Sequence, residues 1–200
     1  MLGIRKVTKR ENTEYATSSD FCWIFARDTE RLYLLSFLLT GDEAMAEKCF
    51  VAGFEDSVKG NAVFKEWAQS WARRTIIQNA IRMIQPRPGE RSALDDAQRE
   101  IAIPVLTERP EIAAVVALPA FERCVFVISV LEGYSVQNCS LLLGCSRAEV
   151  IAARSHALQS IGNSAQVNHE SLTLGRMRQS EADPDVVHQL KAISALPIPA

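Results

Sequence analysis

The chain has no Gly-rich phosphate loop, no GxSxG elbow, no HExxH helix and no calcium-binding loop, so nothing in it signals a familiar catalytic chemistry. No enzymatic role and no cofactor are therefore assigned. A CxxC pair is also missing: Cys22, Cys49, Cys124, Cys139 and Cys145 are odd in number and fall mostly in apolar runs, where a free thiol behaves as a small core hydrophobe. The expectation is reduced cysteines in a cytoplasmic protein. His156, His169 and His188 do not pair with those cysteines at zinc-ligand spacing, so no metal site is expected. The N-terminus lacks an apolar signal core, and the longest apolar stretches are broken by Pro119, Glu122 and Arg123 before membrane-spanning length. Neither secretion nor membrane insertion is expected. Strong charge is missing as well: 200 residues carry a formal net charge of −2. Without a global electrostatic pull toward phosphate, any nucleic-acid role must rest on local patches or on a partner that supplies affinity.

What is present is helical periodicity with sharp punctuation. Residues 118–161 read as three short helices around a small core. The first carries Phe121, Val125, Phe126, Ile128 and Leu131 and stops at Glu132-Gly133, since glycine takes the left-handed conformation of a helix end. Ser135 starts a second helix, closed by Gly144. Ser146 and Glu149 form a capping box that opens the third. Two helices joined by Gly-Cys-Ser make a helix-turn-helix, a motif that many helical proteins use without touching DNA. On the third helix, placing residues at 100° intervals turns Val150, Ala157 and Ile161 inward. Ala148, Ala152, Ser155, His156 and Gln159 then point outward, with Arg147 and Arg154 toward the flank.

The N-terminal half reads as a second helical group. Residues 1–19 are polar, with Arg5, Lys6, Lys9 and Arg10, and are expected to form a mobile tail. Residues 31–39 are apolar on nearly every side, as suits a central core helix. Thr40 and Glu43 have capping-box spacing at the start of a helix that places Met45, Cys49 and Phe50 on its apolar side. A further helical run from Phe64 reaches Pro86, which forbids continuation. Trp67, Trp71, Arg74, Gln78 and Arg82 fall on one stripe of that run, combining aromatic faces with guanidinium donors. Such a stripe can stack on unpaired bases and hold phosphate. The plainer reading makes both tryptophans core residues, and for Trp67, beside Phe64, core is the preferred expectation.

Residues 86–114 contain Pro86, Pro88, Gly89, Pro104 and Pro110 with no sustained period. They read as a flexible interdomain linker with at most a short helix near residues 92–101. Residues 162–182 are polar and loop-like. Asp183-Pro184 then supplies a cap and an N1 proline for a last short helix bearing Val186, Val187, Leu190 and Ile193. The expected fold is therefore all-α: a tail (1–19), a helical domain (20–85), the linker (86–114), a second helical domain with the helix-turn-helix (115–162), and a polar tail with a short helix (163–200).

The pattern of Leu118, Pro119, Glu122, Arg123, Val125, Phe126, Glu132, Gly133, Ser135, Leu143, Gly144, Ser146, Val150 and Ala157 resembles the fourth conserved region of bacterial sigma factors of the small extracytoplasmic-function type. Residues 31–39, the Thr40-Gly41-Asp42 turn, Glu47, Phe54, Trp67, Ala72, Arg73, Ile81 and Arg82 look like the second conserved region of the same family. The blocks occur in the family's order, covering roughly residues 25–84 and 118–162. The resemblance implies a subunit that directs RNA polymerase core to promoter DNA, with an anti-sigma-type regulator as a further partner. The second region would dock on polymerase through Asp42, Glu47, Phe50 and Phe54. It would hold the melted strand with Trp71, Arg73, Arg74, Gln78 and Arg82. The fourth would anchor on duplex through Ser146, Arg147, Arg154, Ser155, His156 and Gln159. Two departures are visible. The acidic, glutamine-bearing segment usual on the polymerase-contacting helix is replaced by Lys48-Cys49-Phe50-Val51-Ala52-Gly53-Phe54, and Gly53 weakens a helix by about 1 kcal/mol relative to alanine. The third C-terminal helix offers few of the usual basic side chains. These departures leave open a sigma-like protein that regulates by protein interaction without promoter activity. An unrelated helical regulator of the two-helix DNA-binding kind, sensing a ligand through its N-terminal half, is a more distant reading.

Overall fold

A computed structural model describes residues 14–60, 62–89 and 109–181, with side chains through Ser164. Among the described residues the chain is helical, apart from an isolated bridge between Tyr15 and Phe64. No helix among them is long and apolar enough to cross a membrane. The short helix expected near residues 92–101 and the one bearing Val186 lie outside the described residues, as do the basic residues of the N-terminal tail.

Helix α1 (Ser18–Arg27) begins inside the segment expected to be a mobile tail. The tail expectation fails for residues 14–17 because these have partners. Thr17 and Asp20 form a reciprocal capping box, with the Asp20 carboxylate accepting from Thr17 N at 2.8 Å. Ala16 N donates to Val63 O at 2.7 Å, and Tyr15 stacks on Phe64 with ring centroids 4.8 Å apart.

Helix α2 (Thr29–Thr40) is the central helix its sequence predicts, with Leu32, Leu35, Leu38 and Leu39 buried. It ends at Gly41 (φ 71), whose N–H reaches Phe37 O at 2.7 Å. The capping box expected from Thr40 and Glu43 is displaced by this cap. Thr40 is still helical and turns its hydroxyl back to Ser36 O, so the first extended residue is Asp42, whose carboxylate accepts from Met45 N at 2.8 Å. Helix α3 (Glu43–Lys59) follows.

After a 3-10 turn (Lys65–Trp67), helix α4 (Ala68–Ile84) crosses α3 at Gly53. A Cβ there would stand 2.7 Å from Ile76 Cγ1 and 3.2 Å from Ile76 Cα. Gly53 is thus the point of closest approach rather than a weak point, and α3 runs through it unbroken. Its carbonyl accepts from Ser57 (2.8 Å) and Thr75 (3.0 Å), two hydroxyls that are buried and lie 2.8 Å apart. This small polar cluster satisfies groups that would otherwise be costly to bury.

The expected linker ends in order. Helix α5 (Pro110–Val116) starts with proline at the first turn, where the missing N–H is no loss, so the segment read as linker through residue 114 is partly helical. Helix α6 (Ala120–Phe126) runs into a π turn (Val127–Leu131) that closes at Gly133 (φ 72). Helix α7 (Val136–Leu143) is capped by Ser135 and closed by Gly144 (φ 64). Helix α8 (Arg147–Glu181) opens on the reciprocal bonds of Ser146 and Glu149. It continues far past Ile161, through the segment read as loop. That stretch has no apolar face and holds Gly162 and Gly175, but no proline interrupts it before Pro184, so helix propensity decides where packing signals are silent.

The two helical groups meet in one cluster of buried residues, from Phe21, Leu39 and Ile76 to Phe121, Val125, Val150 and Ala157. At their seam lies Arg123, 2% exposed. Its guanidinium donates to Leu39 O (3.3 Å) and Thr40 O (3.0 Å) at the end of α2, and to Val116 O and Leu118 O (3.1 and 3.0 Å) at the end of α5. Helix C-termini present unpaired carbonyls and partial negative charge, so one cation serves two helix ends at once. Gly41 makes room for it: a Cβ there would stand 2.8 Å from Arg123 Cζ.

Candidate nucleic-acid interface

The N-terminal stripe starts where the 3-10 turn meets α4. That turn rotates Trp67 away from the core, leaving it 58% exposed with its ring edge-on to Phe64 at 5.3 Å. The core expectation for Trp67 is therefore corrected: Phe64 spends its face on Tyr15 and offers Trp67 only an edge contact. Trp71, one turn later, is half-buried. Its Nε1 is buried and has no hydrogen-bond partner among the described residues. Trp67 and Trp71, with Val63, Phe64, Arg74 and Tyr134, line an open groove of about 370 Å³. A second recess on the far side of Trp71 is lined by Asp56, Lys59, Thr75 and Gln78.

The three arginines of this region are differently placed. Arg74 is exposed beside the groove, and among the described residues it has no ion-pair partner. Arg82 pairs with Asp56 at 2.5 Å; hydrogen bonds from Asn79 first, then Arg82, hold the Asp56 carboxyl below the ordinary carboxylate value. Arg73 points off the stripe to Glu132 of the C-terminal group, its Nε donating to Oε2 at 2.6 Å while Nη2 bonds Oε1. The Glu132 side chain is only 7% exposed. These hydrogen bonds raise the Arg73 guanidinium further above its already high range. Arg73 thus does not share the stripe with Arg74 and Arg82.

On α8 the sequence-derived helical wheel holds. Val150 and Ala157 are buried and Ile161 half-buried; Arg147, Ser155, His156 and Gln159 are exposed; Arg154 is half-buried on the flank. The Ser146 hydroxyl is taken up by its cap, donating to Glu149 Oε2 at 2.7 Å and accepting from Glu149 N at 3.2 Å. Ser146 in turn holds the Glu149 carboxyl below its ordinary range. His156 Nδ1 lies 3.7 Å from Glu122 Oε1, so two carboxylates, Glu122 and Glu149, border this face. Ile151 and Leu158, exposed at 54% and 47%, escaped the sequence reading. Their seven-residue spacing puts them on one side of the helix with Ser155, a signal that a full wheel of α8 contains.

The residues assigned to polymerase contact are divided in the same way. Glu47 is exposed, whereas Asp42 is the α3 cap. Phe50 and Phe54 are half-buried, each edge-on to the buried Phe25 with centroids 5.4 and 5.2 Å apart. No family model matches the chain, and no curated protein is found to be similar to it.

Proposed function

We propose that this chain is a sigma-factor-like subunit that directs bacterial RNA polymerase to promoters in the cytoplasm, without enzymatic activity of its own. The observation that carries this reading is the groove of Trp67 and Trp71 beside Arg74, which has no ion-pair partner among the described residues. Exposed aromatic faces next to a free guanidinium stack on unpaired bases and hold the adjacent phosphate, each stacked base contributing about 1–3 kcal/mol. In this reading α3 docks on polymerase core through Glu47 and the exposed edges of Phe50 and Phe54. The groove holds the melted strand, and α7 with α8 acts as a helix-turn-helix on upstream duplex through Arg147, Arg154, Ser155 and Gln159. The two helical groups are its two functional domains, and an anti-sigma-type regulator is a further partner. The test is run-off transcription with core polymerase on a genomic promoter library, paired with recovery of the polymerase bound to the tagged chain. Transcripts starting at a defined sequence are the expected result. Absence of both transcript and bound polymerase would reject the proposal.

A second reading is favoured by α8. Ile151 and Leu158 stand exposed where a duplex-reading helix would carry Arg, Asn or Gln, and Glu149 caps its start. This fits a sigma-like regulator that binds proteins and does not start transcription. Polymerase or a regulator recovered with the chain, with no transcript formed, would select it.

A further inference from the structure

We propose that Glu132 is a built-in phosphate mimic beside the single-strand groove, its carboxylate standing on Arg73 where a backbone phosphate of a strand leaving the groove would bind, while Tyr134, two residues on, forms part of the groove wall. The inference rests on the strand-binding reading of the groove given above. Its basis is that a carboxylate takes up the guanidinium that the strand-binding reading assigns to a phosphate, two residues from a side chain that borders the groove. Glu132 accepts both bonds of the planar Arg73 fork, the geometry in which guanidinium binds carboxylate and phosphate alike. Tyr134 lines the groove together with Trp67, Trp71 and Arg74.

The segment is held for this task. Glu132 N donates to Val127 O at 2.9 Å and Tyr134 N donates to Ile128 O at 3.0 Å, both across the π turn. Gly133 between them takes φ 72, which lets the chain reverse so that the carboxylate and the ring both face α4. Nothing in the packing of the C-terminal group itself demands an acid here, since the partner of Glu132 is on the N-terminal group. A strand that uses Arg73 must displace this carboxylate, so strand binding and the closed arrangement compete for one guanidinium.

The test measures binding of a short fluorescein-labelled single-stranded oligodeoxynucleotide to the full chain by anisotropy. Glu132→Gln removes the competing charge while keeping the shape, and should tighten binding about tenfold, within the usual range of coupling between sites. Because one more phosphate contact becomes available, the slope of log affinity against log salt should also steepen by about 0.7, a change that mere loosening of the fold would not produce. Glu132→Asp, which keeps the charge, should stay nearer the wild type than the glutamine variant. Circular dichroism melting of each variant checks folding. Wild-type binding that depends on Arg74, with Glu132→Gln no tighter and no steeper in salt, overturns the mimic while leaving the groove's function intact. If neither the wild type nor Glu132→Gln binds the oligonucleotide, the strand-binding reading falls and the mimic falls with it.

Discussion

Replacing Gly53 by alanine adds one methyl group at the α3–α4 crossing, and two opposed effects decide the outcome. Alanine is the better helix former by about 1 kcal/mol in a helix interior. Against this, the new Cβ would stand 2.7 Å from Ile76 Cγ1 and 3.2–3.3 Å from the Ile76 backbone, and Ile76 is fully buried. Overpacking of this kind costs about 1–3 kcal/mol. Pushing the helices apart also lengthens the bond of Thr75 to the Gly53 carbonyl, a buried interaction contributing about 1 kcal/mol. The net expectation is a loss of about 1–3 kcal/mol. Urea denaturation of the full chain followed by circular dichroism measures it, as a lowered midpoint at unchanged slope. In a double-mutant cycle with Ile76→Ala, the double variant should lose less stability than the sum of the two single losses, since the second change vacates the space the first one needs. A Gly53→Ala protein as stable as the wild type or more so would mean that propensity alone acts at this position, and the close crossing would be refuted.

Arg123→Met keeps much of the side-chain volume but takes the guanidinium from four buried carbonyls, of which Leu39 O keeps the weak Cys124 Sγ contact at 4.0 Å. It should cost about 3 kcal/mol or more at roughly 1 kcal/mol per unsatisfied group, read by thermal melting; a loss under about 1 kcal/mol would show that the cation does not hold the seam. Asp20, Asp56 and Glu149 are each held below their ordinary values (3.8, 3.8 and 4.5) by hydrogen bonds in the folded chain. The unfolded chain then takes up protons first, so the stability they contribute is fully present above the ordinary values and is lost as pH falls through the lowered folded ones. Melting temperature should be flat from neutral pH down to about pH 5 and fall below it, and Asp56→Asn should shrink that acid loss; a curve unaltered by the variant would count against the Asp56 contacts. Cys49 is fully buried and burial pushes its thiol up to about 11, whereas Cys22 is exposed. Brief alkylation of the native chain near neutral pH should therefore modify Cys22 and spare Cys49, as mass spectrometry of peptides would show.

Which features were legible in the sequence follows the distance over which their causes act. Ser135, the Ser146–Glu149 box, Gly133 and Gly144 were readable because caps are settled by residues three or four positions apart. The α8 wheel was readable for the same reason. The Thr40–Glu43 box failed by two residues because Gly41 ends α2 first, a competition between two equally local signals. Trp67 leaves the core its neighbours in sequence suggest because a single 3-10 turn rotates it off the α-helical wheel. The partners that matter most to the candidate site are remote. Arg73 meets Glu132 across 59 residues, and Arg123 reaches Leu39 O across 84. No periodicity or spacing rule addresses such pairs, so the burial of one arginine and the capture of another become visible only when the two groups are packed together.

These two long-range arginine contacts differ in kind, and the difference bears on how the molecule works. Arg123 is enclosed, serves the ends of two helices, and has no route to solvent without undoing both, so it belongs to the assembly of the fold. Arg73 keeps 38% of its side chain exposed at the rim of the same seam, where solvent and an incoming anion can reach it. Exchange of its anion does not unfold what lies beneath it, but it leaves the Glu132 carboxylate, 7% exposed, without its cation, a loss the incoming anion must outweigh. Competition at Arg73 therefore does not require the two helical groups to separate. A strand could take the guanidinium from Glu132 while Arg123 still holds the groups together, which makes the change a local exchange of anions at one edge of a preserved core.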